Sequence, residues 1–268
     1  MPPCSTSRTP HAPRRAEARP SKPLSFQTSK PLRSPGNPRT LQRSDLVDFF
    51  FPRQCAQCTA ASRRAFLCPR CHDALPWLVP PACIRPLLEK GGGALAAVTF
   101  QGEVRAWIHR FKYPASGLAS LDPAATGIAR MLARAAGRRA PLQAADWLVP
   151  IPLHPRRFRQ RGFNPAALLA REIARPLGLA VAPRWLVRQR DTRPQAGLDA
   201  GSRARNVAGA FACRRPPNPL PTRVWLVDDV TTTGATLASA AKTLHEAGVR
   251  EVMGLCLART ATPRGDFP

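Results

Sequence analysis

One stretch constrains this chain more than any other: Arg223 to Thr236, which reads R-V-W-L-V-D-D-V-T-T-T-G-A-T. Val224 to Val227 are continuously apolar, the pattern of a strand buried on both faces of a parallel sheet. Asp228 and Asp229 stand where that strand ends. Thr231, Thr232, Thr233, Gly234, Ala235 and Thr236 form a small, hydroxyl-rich turn. Leu237, Ala240, Ala241 and Leu244 then recur at helical spacing, and Gly248 supplies the stop signal.

A Gly-containing turn at a helix N-terminus is a ready anion cradle, because backbone N–H groups and the helix dipole point the same way. Threonine hydroxyls add donors. Two carboxylates just upstream are badly placed for phosphate itself but suit a sugar diol, or a Mg²⁺ held between diol and phosphate. Strand, acid pair and turn in that order predict a ligand made of ribose and phosphate. The plainer alternative is a strand running into a helix whose start the acids cap.

The 268 residues are enough for one α/β domain and a small satellite. A net charge of +25, from 41 basic and 16 acidic residues, invites a nucleic-acid partner. The basic residues are overwhelmingly Arg, however, and with abundant Ala and Pro they also reflect a GC-rich coding sequence. No apolar run approaches the roughly 18 residues that cross a bilayer. The chain is expected to be cytoplasmic.

Residues 1–45 are rich in Pro and Arg, without periodicity, and read as a disordered basic tail. An over-called start, with the native protein beginning near Leu46, is the favoured expectation. Residues 46–80 hold Cys55-x-x-Cys58 and Cys68-x-x-Cys71, two pairs at the spacing of a tetrahedral Cys4 zinc site. Residues 81–262 carry the sheet. Ala96 to Phe100 is a candidate strand. Val104, Trp107, Ile108 and Phe111 give an amphipathic helix, and Leu118 to Ala136 a second. Trp147 to Ile151 is a strand that runs into a basic loop, Pro152 to Asn164, before a helix over Pro165 to Leu177. A basic loop after a sheet strand is where an α/β fold places an anionic ligand, though a solvated basic surface remains open. Trp185 to Val187 is a third strand, followed by a polar excursion to Asn206 that reads as a lid or flexible loop. The chain returns over Ala208 to Cys213. Glu251 to Ala258 closes a parallel, doubly wound sheet.

The Asp228 to Thr236 pattern resembles the signature of the type I phosphoribosyltransferases, which bind phosphoribosyl pyrophosphate (PRPP). Trp225 stands where an aliphatic residue is more usual. Further matches extend the resemblance to the ComF family, the competence proteins with a phosphoribosyltransferase domain. They are the four cysteines, Phe111-Lys112-Tyr113, Val149 to His154, Arg161 to Asn164, Gln195 and Arg205-Asn206-Val207. The resemblance spans roughly residues 46 to 260. Many members carry further Cys pairs, whereas here only Cys83 remains in that region, so a second zinc site is not expected.

The resemblance implies a type I phosphoribosyltransferase-like parallel sheet with helices on both faces, preceded by a small Cys4 zinc knuckle. It implies that Thr231 to Thr236, with His154 and Gln195, bind PRPP or ribose 5-phosphate. Asp228 and Asp229 would face the ribose hydroxyls and Mg²⁺. Arg157 and Arg161 would hold pyrophosphate, and the 189–206 excursion would exclude water. The implied role is DNA uptake in natural transformation, with single-stranded DNA and DNA-processing competence proteins as partners. The other reading it leaves is a phosphoribosyltransferase of nucleotide salvage with an unidentified acceptor.

Overall fold

A computed structural model describes residues 54–62, 66–79, 84–86, 92–113, 123–192 and 200–261. The basic tail, Cys83 and Gln195 lie outside them. Central to the fold is a six-stranded sheet. Its strands are β1 (Ile84–Pro86), β2 (Gly93–Thr99), β3 (Trp147–Pro150), β4 (Ala180–Val181), β7 (Arg223–Thr231) and β8 (Glu251–Arg259), in the order β1-β2-β8-β7-β3-β4. All neighbours pair in parallel except β1 with β2. The five-stranded parallel body matches the expected fold class.

Period-two alternation on β7 assigns its side chains to two cores. Trp225 and Val227 join one face, against helices α2 (Gly102–Lys112), α3 (Pro123–Arg139) and α5 (Pro165–Ala174). Val224 and Leu226 join the other, against α7 (Ala235–Glu246) and a two-stranded antiparallel ribbon of β5 (Leu186–Arg188) and β6 (Phe211–Cys213). Helices therefore cover both faces.

Three expectations are corrected. The Trp185–Val187 segment is not a strand of the main sheet. It opens the β5–β6 ribbon, whose Trp185 and Phe211 cover α7. The stretch Pro152 to Asn164 is not all loop. It contains α4 (Pro155–Arg161), capped by the His154 side chain, with Pro155 at its first turn and Gly162 left-handed at φ 80°. These are standard start and stop signals, masked in the sequence because α4 buries none of its residues and shows no apolar stripe. The polar excursion likewise ends in a helix, α6 (Ala200–Val207), fastened where the Ser239 hydroxyl of α7 donates to the Val207 carbonyl at 2.6 Å.

The cysteine segment, which contains the short helix α1 (Pro69–Asp73), packs on this body. Leu67, Cys68, Cys71 and Leu75 share a core with α2 and α3. The Phe66 ring lies directly on Gly127 of α3, where any Cβ would collide with it.

Trp225 is explained by Asp146, in the turn before β3. The indole N–H donates to Asp146 Oδ2 at 3.0 Å, Arg223 grips both carboxylate oxygens at 2.7 and 2.8 Å, and the Gln143 amide donates at 2.8 Å. Burial alone would raise the pKa of Asp146, which is only 2 % exposed. The donated hydrogen bonds outweigh it and hold the carboxyl below its ordinary value. Asp146→Asn should cost about 3 kcal/mol at neutral pH, the scale for removing one partner of a buried pair. Because the folded-state pKa is depressed, that difference should shrink as pH falls through the acid range in which Asp146 takes up its proton. Denaturant melts of both proteins at several pH values check this.

Candidate functional site

β3 and β7 are adjacent, but the chain leaves them in opposite senses. From β3 it passes along α5 on one face to β4; from β7 it passes along α7 on the other face to β8. Their carboxyl ends thus flank a topological switch point, where doubly wound sheets open a ligand crevice. A cleft of about 390 Å³ lies there, bordered by residues from both strand ends.

The cleft gathers most of the expected site. Asp228, Asp229, Thr231, Thr232, Gly234, Ala235 and Thr236 border it from β7 and the start of α7, and Arg157 and Arg161 from α4. Gly234 caps α7 at φ 80°, a conformation that favours glycine. Thr233 is not on the cleft wall; its hydroxyl accepts the Ala235 N–H at 3.4 Å inside the turn. His154 also stands off the wall. Its Nδ1 accepts the Arg156 N–H at 3.3 Å and lies 3.6 Å from Asp191.

Two further cations, neither with an expected role, complete the cleft. Lys112, at the end of α2, reaches Asp229 with Nζ 2.8 Å from Oδ1. Burial would lower its pKa, yet the Asp229 charge and hydrogen bond raise it overall. Arg188, the last residue of β5, enters from the ribbon. Lys112 had a signal in the Phe111-Lys112-Tyr113 run at a helix end; Arg188 stood among many arginines and had none. Burial and then the adjacent Asp229 push Asp228 up to about 7. The Asp229 amide donates to Asp228 Oδ1 at 2.8 Å.

The second cluster is Cys55, Cys58, Cys68 and Cys71, whose sulfurs all lie within 4.8 Å of one another. Cys58 and Cys68 are 3.7 Å apart, close to the roughly 3.8 Å edge of a tetrahedron with metal–sulfur bonds of about 2.3 Å. Burial raises the Cys55 pKa, but backbone N–H groups of Cys58, Cys68 and Gln57 aimed at its sulfur bring it down to about 6. Hydrogen bonding with Cys58 and then burial push the Cys71 thiol the other way, up to about 12. These four side chains can bind one metal ion. His72 is not among the converging ligands; it turns to Asp73, 2.9 Å away.

No family model matches the chain. It is 34 % identical over 217 residues to a DNA utilization protein, YhgH, of Salmonella typhimurium, an alignment covering 77 % of this chain and 90 % of that one. The Escherichia coli K12 protein of the same name is 32 % identical over 215 residues, with the same coverage. Competence protein F of Haemophilus influenzae is 35 % identical over 153 residues, 57 % of this chain and 66 % of that one. Among the described residues no helix is long and apolar enough to cross a membrane.

The purified protein should carry one zinc per chain by elemental analysis. Cys58→Ser should lose it and increase hydrogen exchange around residues 66–75 while the central sheet stays protected. Stoichiometric zinc in the variant would refute the ligand assignment.

Proposed function

The chain belongs to the ComF family, and on that premise we propose that it binds PRPP or a ribose phosphate in the β3–β7 cleft and serves DNA uptake in the cytoplasm, handling incoming single-stranded DNA with other competence proteins. One observation carries the ligand reading. Acid pair, threonine–glycine turn and guanidinium helix, far apart in sequence, line a single cleft at a topological switch point.

In this reading the N-terminus of α7 and the turn before it hold the 5′-phosphate. Asp228 and Asp229 accept the ribose hydroxyls, with Asp229 fixed by Lys112. Arg157 and Arg161 hold pyrophosphate. The donor set fits a Mg²⁺ bound chiefly by the ligand's own oxygens, since the chain offers two carboxylates and Lys112 engages one of them. Bound there, the ion would neutralise pyrophosphate charge. Zinc in the Cys4 cluster would tie the knuckle together. The +25 charge favours a strand held through its phosphates.

A second reading, phosphoribosyl transfer to an unidentified acceptor, is favoured by the pairing of an intact acid pair with Arg157 and Arg161 across the cleft. Transfer proceeds through an oxocarbenium-like sugar, so the chain's work is to stabilise a departing pyrophosphate, place carboxylates beside a cationic ring and exclude water.

Isothermal titration with PRPP and Mg²⁺ tests the ligand. The ionised Asp228 is the form that accepts sugar hydroxyls. Its pKa is raised to about 7, so affinity should climb as pH rises from 6 to 8. Asp228→Asn should bind more weakly and lose that slope. A second arm titrates a labelled single strand in rising salt, where affinity should fall steeply. No heat with PRPP at any pH removes the ligand; salt-insensitive strand binding removes the DNA contact.

A further inference from the structure

A second cavity, of about 570 Å³, opens between α3 and α5 and shares no bordering residue with the ligand cleft. α5 carries the chain from the carboxyl end of β3 back to the amino end of β4, and α3 ends just before the turn that leads into β3. The last turns of both helices border the cavity, which places it at the amino end of the sheet, away from the crevice. Its floor comes from close packing. A Cβ on Gly137 would lie 2.9 Å from Cγ2 of the buried Ile173, so the two helices approach as nearly as a glycine allows. Past that contact α5 runs into a 3-10 turn over Arg175–Leu177, ended by Gly178 in the left-handed region at φ 65°. Pro176 and Leu177 of that turn border the cavity, and Leu177 is 45 % exposed.

Arginines edge this apolar surface. Arg134 and Arg138 come from α3 and Arg175 from the turn, all three exposed. Glu172, the one acid on the border, is already held. Arg130 Nε lies 3.2 Å from one of its carboxylate oxygens and Arg134 Nη2 lies 3.0 Å from the other. Among the described residues no acid pairs with Arg138 or Arg175. Arg138 complements the α3 dipole, but a dipole does not call for an exposed leucine and proline beside it. Free guanidinium groups flanking exposed aliphatic surface are the composition of an interface. The same chemistry selects the occupant. Carboxylates satisfy Arg138 and Arg175, and apolar side chains cover Pro176 and Leu177; an acidic amphipathic helix supplies both. A nucleic-acid strand would meet the arginines but no aromatic side chain on which to stack its bases. A second copy of this chain carries the same +25 charge and is repelled.

We propose that the α3–α5 groove docks an acidic amphipathic helix of a partner protein. Apolar side chains of that helix cover Pro176 and Leu177, and its carboxylates pair with Arg138 and Arg175. The surface is independent of the ribose-phosphate reading. Because it lies at the opposite end of the sheet, a docked partner leaves the ligand cleft open.

The test titrates the full chain by fluorescence anisotropy with three labelled probes. One is a Glu/Leu peptide of roughly 16 residues, long enough for a helix, with Leu at i, i+3, i+4 and i+7. The second has the same composition with the leucines scattered, and the third is a short oligothymidine. Wild type should bind the patterned peptide several-fold more tightly than the scattered one. Reversing both rim charges, Arg138→Glu with Arg175→Glu, should weaken the patterned peptide about tenfold, the scale of two exposed ion pairs turned repulsive. Arg214→Glu with Arg250→Glu changes the net charge equally at exposed positions outside the groove. That pair should stay within about twofold, since salt screens distant charges. Leu177→Ser should weaken the patterned peptide and leave its salt dependence unchanged, and it keeps the test decisive where the charge reversal lowers the melting temperature. Bound peptide should slow hydrogen exchange over residues 134–139 and 173–178. The proposal is overturned if wild type ignores the patterned peptide or binds both peptides alike. It is also overturned if the distant pair weakens binding as much as the rim pair, which makes net charge the cause. Loss of oligothymidine rather than peptide in the rim pair would make the groove a nucleic-acid surface and overturn it as well.

Discussion

The structure depends on β7 being buried on both faces. Its alternating side chains, Val224 and Leu226 one way and Trp225 and Val227 the other, are each nearly inaccessible. A strand with two apolar faces must be covered by helices on both sides and flanked by strands on both edges. Those demands place β7 between β3 and β8. Once it is there, its carboxyl end must emerge at a crevice, because the connection after β3 goes one way and the connection after β7 the other. Polar residues that would be costly elsewhere are then tolerated at that end, where a ligand and solvent can reach them.

Charges at the two ends of β7 do different work. At its start, Arg223 and Trp225 close on Asp146, an acid whose hydrogen-bonding needs are met by three donor groups of the chain. This arrangement fixes β7 against the turn before β3 and has no open position. At its far end, Asp228 and Asp229 are crowded together on the cleft wall, and Lys112 pairs with Asp229 alone. The contrast separates a network that holds the fold from one strained in a way a ligand can relieve. The Cys4 cluster is a third solution. It gathers four sulfurs in a short segment whose Leu67 and Leu75 join the core beside α2 and α3 and whose Phe66 lies on Gly127.

What the sequence made legible was local. β7, the acid pair, the turn and α7 are contiguous, and each carries its own physical signature: an apolar run, a glycine at a required left-handed position, a helical period. The cysteines were legible because metal geometry dictates their spacing. What stayed hidden was long-range or all-polar. Lys112 meets Asp229, and Arg188 meets Arg157 through Thr192, only after the chain has folded. α4 shows no apolar stripe because it buries nothing. The Trp185 strand has the composition of a sheet strand, and only its partner, β6, reveals that it belongs to a ribbon covering α7. The Thr233 hydroxyl also accepts the Ala235 amide inside the turn, a contact that sequence position alone does not show.

The central claim is that the turn from Thr231 to Thr236 is a phosphate cradle and that the acids before it face a sugar. A crystal structure of the chain with ribose 5-phosphate bound tests this most directly. The account predicts the phosphorus at the N-terminus of α7, within hydrogen-bonding distance of the backbone of that turn, and the ribose hydroxyls turned toward Asp228 and Asp229. Phosphate density seated elsewhere in the protein, with the turn unvisited at saturating ligand, would contradict it.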